Sequence, residues 1–106
     1  MRIGIRRRHV ELTAALLDHV DRRLRFALSR FGQKIRLAAV QLADLNGPRG
    51  GVDKQCKVTV TLSPSGKVMV EATDADLHSA IDRAADRVEC SVTRELERRR
   101  AEYRGA

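Results

Sequence analysis

The chain has 106 residues, 42% apolar and 33% charged, a composition that fits one globular domain with a modest core and excludes a disordered tail. No run of about 18 apolar residues exists to form a membrane-spanning helix, and Met1–Arg8 lacks the apolar stretch of a secretion signal, so a cytoplasmic protein is expected. Lys and Arg number 21 against 14 Asp and Glu, a net charge of +7 that points to a polyanionic partner, either nucleic acid or an anionic membrane surface.

Seventeen of the basic residues are Arg, which forms bidentate hydrogen bonds to phosphate and stacks on bases. A genomic bias toward Arg codons accounts for Arg over Lys but not for the net charge. Cys56 and Cys90 have no Cys-x-x-Cys spacing, and two reduced thiols are expected rather than a disulfide or a metal site.

Arg2–Arg8 alternates, with Ile3 and Ile5 on one face and Arg2, Arg6 and Arg8 on the other, as in a half-buried strand with a basic outer face. Thr13 is a suitable N-cap for a helix running to about Phe31, with Gly32 just past its end. Leu16, Val20, Leu24, Ala27 and Phe31 recur at helical spacing and form its core stripe. A second strand is expected over Ile35–Leu45, with a bulge near Ala38-Ala39-Val40 where the alternation breaks.

After the loop Asn46–Gly51, a third strand places Cys56, Val58, Val60 and Leu62 inward and Gln55, Lys57, Thr59 and Thr61 outward. Ser63-Pro64-Ser65-Gly66 is a hairpin turn, and Val68, Val70 and Ala72 supply the inner face of a fourth strand. Thr73 or Asp74 caps a final helix from about Ala75 to Arg100, with a core stripe of Leu77, Ala80, Ile81, Ala84, Val88 and Val92; residues 101–106 are expected to fray. The fold class is therefore α+β, in the order β-α-β-β-β-α, a four-stranded sheet with two helices packed on one face in a single domain over residues 1–106.

At 100° per residue the helical charges separate by sign. In the last helix Arg83, Arg87, Arg94 and Arg98 share one stripe, and Asp82, Asp86, Glu89 and Glu97 share another. In the first, His19, Arg22, Arg23, Phe26 and Arg30 lie on one flank, with Asp18 and Asp21 on the other. Solvated helix faces commonly mix signs to gain i,i+4 pairs, whereas segregated signs build a one-sided field suited to a phosphate backbone. Phe26 has two readings, stacking on a base or packing at the core rim, of which rim packing is favoured.

No enzyme is expected. His9, His19 and His78 have no nucleophile or carboxylate at a recognisable motif spacing and read as surface histidines. Cys56 reads as a core residue; Cys90 sits among Arg residues that can lower a thiol pKa, which leaves redox sensing as a minor reading. Neither cofactor nor metal nor small-molecule substrate is implied. The loop before the third strand does not match a P-loop, and Asp44, Asn46 and Asp53 fail the spacing of a calcium loop. A large aromatic apolar helix face is missing, which argues against a membrane partner.

Arg8-His9-Val10-Glu11-Leu12-Thr13 before the first helix, and Ala75-Asp76-Leu77-His78-Ser79-Ala80-Ile81-Asp82 with Asp86-Arg87-Val88 in the last, resemble the ribosome hibernation promoting factor (RaiA-like, sigma-54 modulation protein) family over nearly the whole chain. The resemblance implies a fold like that of double-stranded-RNA-binding domains. It also implies binding to rRNA of the small ribosomal subunit where messenger and transfer RNA sit, which inhibits translation in idle cells. Arg23, Arg87, Arg94 and Arg98 match positions commonly basic in that family; Arg22, Arg30 and Arg83 join them as rRNA contacts, with Arg6, Arg8, Lys57 and Arg49 as additional ones.

His78, Cys90, Glu95 and Phe26 depart from the family's usual residues and thin its positive surface. Asp44-Leu45-Asn46-Gly47-Pro48-Arg49-Gly50-Gly51-Val52-Asp53-Lys54-Gln55-Cys56 resembles a branch with an Asn-Gly loop, either a phosphate cradle or, preferably, a plain hairpin connection. Long relatives add a C-terminal dimerisation domain that is not expected here, and the oligomeric state is left open. Alternatives are a general double-stranded-RNA-binding module and a protein-interaction domain of the sigma-factor modulator type.

Overall fold

The computed structural model describes residues 1–45 and 53–105. Its elements are β1 (Arg2–Arg8), α1 (Ala14–Leu28), a 3-10 segment (Ser29–Lys34), β2 (Ile35–Asp44), β3 (Lys54–Leu62), β4 (Lys67–Asp74) and α2 (Leu77–Gly105). The strands form one mixed sheet in the order β1-β2-β3-β4, parallel between β1 and β2 and antiparallel elsewhere. A parallel pair needs a crossover, and α1 supplies it.

Alternation along the strands sends Val40, Leu42, Cys56, Val58, Val60, Leu62 and Ala72 to one face, where all are buried. Leu16, Val20, Leu24, Ala27 and Leu28 of α1 and Ala80, Ile81, Ala84, Ala85, Val88 and Val92 of α2 close over them in one cluster. Among the described residues, no helix covers the other face of the sheet. The expected order β-α-β-β-β-α and both core stripes are therefore present.

Boundaries differ from expectation at four places, each for a local reason. α1 stops at Leu28, and a 3-10 segment continues to Lys34; the tighter turn still brings Phe31 into the core, which is why it read as part of the helical stripe. Gly32 reverses the chain inside that segment at φ 58°, a conformation that favours glycine. The irregularity in β2 lies between Ile35 and Leu37 rather than at Ala38–Val40, so Arg36 and Leu37 are both exposed. β4 runs through Asp74, paired with Lys54, and Asp76 caps α2 by accepting from the Ser79 backbone N–H (3.2 Å) and hydroxyl (3.0 Å). At the other end α2 continues to Gly105, in place of the expected fraying after Arg100. Thr13 caps α1 as expected, its hydroxyl oxygen accepting from the Leu16 N–H at 3.1 Å.

Candidate nucleic-acid interface

Both helices lie on one face of the sheet, and their charged flanks meet. Arg23 of α1 reaches across to two carboxylates of α2: Nε is 3.2 Å from Asp82 Oδ1 and Nη2 is 2.7 Å from Asp86 Oδ1. His19 Nε2 lies 2.8 Å from the same Asp82 oxygen, and its ring packs 4.8 Å from that of His78. Arg30 spans Glu89 (3.4 Å) and the Thr93 hydroxyl (2.8 Å), and its guanidinium lies over the Phe31 ring at 4.4 Å. The basic flank of α1 thus faces the acidic flank of α2. The one-sided field expected from each helix alone is largely neutralised along this seam, a correction that only the tertiary packing reveals.

The opposite flank of α2 is different. Arg83, Arg87, Arg94 and Arg98 line up beside β4, all exposed. Arg83 donates to the Thr73 carbonyl (3.1 Å) and lies 3.4 Å from Asp74, while Arg87 donates to the Glu71 carbonyl. Arg98 pairs with Glu95 and Glu102 on its own helix. Arg94 has no carboxylate within ion-pair distance among the described residues, and with Arg87 it borders a hollow of about 490 Å³ that also takes in Glu71, Asp86, Cys90 and Ser91. Arg22, exposed on α1, pairs with Asp18 one turn away. Phe26 is 83% exposed, which removes the rim-packing reading and leaves an aromatic ring open to solvent beside Arg22 and Arg30.

The additional basic positions lie elsewhere. Arg6 and Arg8 extend from β1, and Lys57 from β3, on the face of the sheet away from the helices. Arg49 and the rest of the Asn-Gly loop lie outside the described residues. At the base of that loop Lys54 Nζ sits 3.0 Å from the fully buried Asp53 and 3.3 Å from Asp44, and the Asp53 hydrogen bond holds the Lys54 ammonium above its usual pKa. This clamp escaped the sequence reading, although Asp44 and Asp53-Lys54 bracketing a glycine-rich loop were visible. Arg99, also overlooked, donates to the Ser65 carbonyl and ties α2 to the β3–β4 turn.

Of the two thiols, Cys56 is buried in the core and pushed up to about 12 by the loss of solvation, which fits the inert core residue expected. Cys90 is exposed. The described residues hold no cluster of metal-ligating side chains, and no helix is long and apolar enough to cross a membrane.

This arrangement can be set beside known proteins. The family model described as "Sigma 54 modulation protein / S30EA ribosomal protein" matches residues 3–100. The chain belongs to this family. A ribosome hibernation promoting factor of Pseudomonas putida strain KT2440 is 28% identical over 107 residues, spanning all of this chain and 97% of that one. The Thermus thermophilus Protein Y N-terminal domain superposes with a TM-score of 0.71 at 35% identity, covering 89% of this chain and 98% of that domain. A ribosomal subunit interface protein from Coxiella burnetii superposes at 0.75 with 16% identity, over 92% of this chain and 99% of that one, and shares the fold. The family resemblance and the β-α-β-β-β-α order read from the sequence are thereby borne out.

Proposed function

We propose that this chain is a non-enzymatic, ribosome-associated hibernation factor of the cytoplasm, binding rRNA of the small subunit in the messenger and transfer RNA channel and inhibiting translation in idle cells. The observation that carries the reading is the open line of Arg83, Arg87, Arg94 and Arg98 along α2 in a member of the S30EA family. The names of the Pseudomonas putida and Coxiella burnetii relatives support the ribosome as partner.

The seam ranks the contacts. Arg87 and Arg94 lack carboxylate partners among the described residues and are the principal phosphate ligands. Arg83, Arg98, Arg22 and Arg30 reach phosphate by giving up exposed ion pairs, which costs little because such pairs contribute about 0–1 kcal/mol. Arg23, held between two aspartates, mainly positions α1 against α2 and presents what remains of its fork at the seam.

Co-sedimentation with purified ribosomal subunits across a salt series tests this, with wild type compared against Arg87→Glu/Arg94→Glu/Arg98→Glu. Wild type is expected to pellet with the small subunit and to weaken with salt; each phosphate contact contributes about 0.7–0.9 to the log–log slope. The triple variant loses binding, or retains it with a slope shallower by about 2–3. Salt-independent binding, or none at low salt, rejects an rRNA ligand.

A further inference from the structure

The face of the sheet that the helices leave open is built differently from the helical seam. Register places Gly4, Ala39 and Thr59 side by side across β1, β2 and β3, with the exposed Met69 beyond them on β4. On one side of this floor runs the row Arg6–Gln41–Lys57–Glu71, and on the other the row Arg2–Leu37–Thr61–Lys67. The two rows are four residues apart along each strand, or about 13 Å. Over β1, β2 and β3 the floor holds a groove of about 410 Å³ lined by Gly4, Arg6, Leu37, Ala39, Lys57 and Thr59, with Arg2 and Lys67 beyond its far end.

Arg2, Arg6, Lys57 and Lys67 form no ion pair among the described residues, whereas Arg22, Arg23, Arg25, Arg30, Arg83, Arg98 and Arg99 of the helices all do. One carboxylate, Glu71, shares the sheet face, and the Gln55 amide donates to it at 3.4 Å.

We propose that this groove is a second RNA site, separate from the helix face, and that its occupant is a single-stranded segment. The charge selects a polyanion: four cations, none in an ion pair with the described residues, flank a floor with no carboxylate, and Glu71 beside Lys57 is the one acidic residue at its edge. The floor selects among polyanions. Gly4, Ala39, Leu37 and Met69 offer a flat apolar strip on which an unpaired base can lie, and a duplex keeps its base faces stacked inside. Phosphates on either side of such a base meet Arg6 and Lys57 along one wall and Arg2 and Lys67 at the other. Only the choice of RNA over other nucleic acid rests on the proposed ribosomal role. The sheet face and helix face point in opposite directions, so the chain can hold two RNA elements at once, as a protein wedged in an RNA-walled cleft must.

Glycine at position 4 sharpens the test. Its φ is not positive, and a Cβ added there meets nothing within 4 Å, so Gly4→Val fills the groove without straining the strand. The probe is a fluorescein-labelled U12 oligoribonucleotide, titrated by anisotropy at low salt against the full chain. Arg6→Glu/Lys57→Glu is expected to weaken binding at least tenfold and Gly4→Val about fivefold, each with an unchanged melting temperature.

Arg87→Glu/Arg94→Glu alters net charge by the same amount, and is expected to change U12 binding less than twofold while impairing ribosome co-sedimentation. If the sheet variants bind U12 as wild type does, or if the helix variant loses U12 equally, the groove is not the site. Competition by a 12-base-pair RNA duplex or by poly-glutamate as effective as unlabelled U12 overturns the assignment to single strands or to RNA, respectively. Intact U12 binding in a protein that fails to bind ribosomes removes the ribosomal reading and leaves this one standing.

Discussion

The α1–α2 seam and the open face of the sheet hold cations in opposite circumstances. At the seam Arg23 and Arg30 of α1 meet Asp82, Asp86 and Glu89 of α2, so positive charge is used to bind one helix to another. On the sheet, Arg2, Arg6, Lys57 and Lys67 face solvent with no ion-pair partner among the described residues. A net charge of +7 therefore says little about where a polyanion binds until the internal pairs are removed from the count. Among the described residues, what remains includes the β4 flank of α2, the helix-free face of the sheet, and Lys34 with Arg100 beside Phe31.

The contrast between covered and open surface has its largest expected effect on the thiols. Cys56 lies under the helices, where burial pushes its thiol up to about 12, so little thiolate forms at pH 8 and the sulfur is shielded from reagent. Cys90 is exposed on α2. Native protein at pH 8 should take up one equivalent of a thiol reagent quickly and the second only at the rate of unfolding, a difference of a thousandfold or more followed by mass spectrometry. Two fast equivalents would mean that the helices do not cover the sheet as described.

At the seam itself, Asp82→Lys sets a cation against Arg23 and His19 where both now find a carboxylate oxygen. We expect a loss of about 2 kcal/mol in urea unfolding, from the lost pair and the new repulsion. Adding Arg23→Glu should restore about 1 kcal/mol, a coupling that a double-mutant cycle reads directly. Additive effects would show that the seam pairs are incidental.

The N-cap of α2 offers a smaller effect with a defined pH signature. Hydrogen bonds from the Ser79 hydroxyl and N–H hold the Asp76 carboxyl below its usual pKa. A depressed folded pKa means that the stabilisation is complete above the ordinary carboxylate range and is lost as pH falls through the folded value. Asp76→Ala should cost about 1 kcal/mol at pH 7. Asp76→Asn should keep most of the cap and remove its share of the acid-side loss, measured by thermal unfolding between pH 2 and 7.

Much of this architecture was legible because burial writes itself into spacing. The alternation through Cys56, Val58, Val60 and Leu62 and the 3.6-residue repeat through Ala80, Ile81, Ala84, Val88 and Val92 each report one covered face. The family was legible for a related reason: the motif at the start of α2 spans the cap and the first core turn. Features set by distant partners were not legible. Arg23 and Asp86 are 63 residues apart, so each helix wheel showed a charged flank without showing that the other helix neutralises it. Thr73 and Asp74 looked like caps because the ladder to Gln55 and Lys54, which keeps them in β4, is a pairing rather than a local preference. Phe26 read as rim packing because composition makes an exposed aromatic the exception, and its 83% exposure emerges only once Leu16, Val20, Leu24 and Ala27 have taken the core positions.

The smallest expected effect is on the stability of the sheet variants, and it separates the two regions most cleanly. Arg6 and Lys57 form no ion pair among the described residues, and Arg6 is exposed, so Arg6→Glu/Lys57→Glu breaks no salt bridge and removes only the cross-strand attraction between Lys57 and Glu71. Reversing both charges reduces the mutual repulsion among Arg2, Arg6, Lys57 and Lys67 but sets the new carboxylate at position 57 opposite Glu71, so the two changes offset. Stability should stay within about 0.5 kcal/mol of wild type, as for surface changes away from special contacts. The same charge change made at Arg23 and Arg30 breaks three interhelical ion pairs, and should destabilise the protein. Cations that stabilise the fold are placed against carboxylates; those on the open sheet repel one another there, and a surface of that kind is explained by an anion that arrives from outside. Equal destabilisation from the two pairs of reversals would erase that distinction and return the basic sheet face to an ordinary solvated surface.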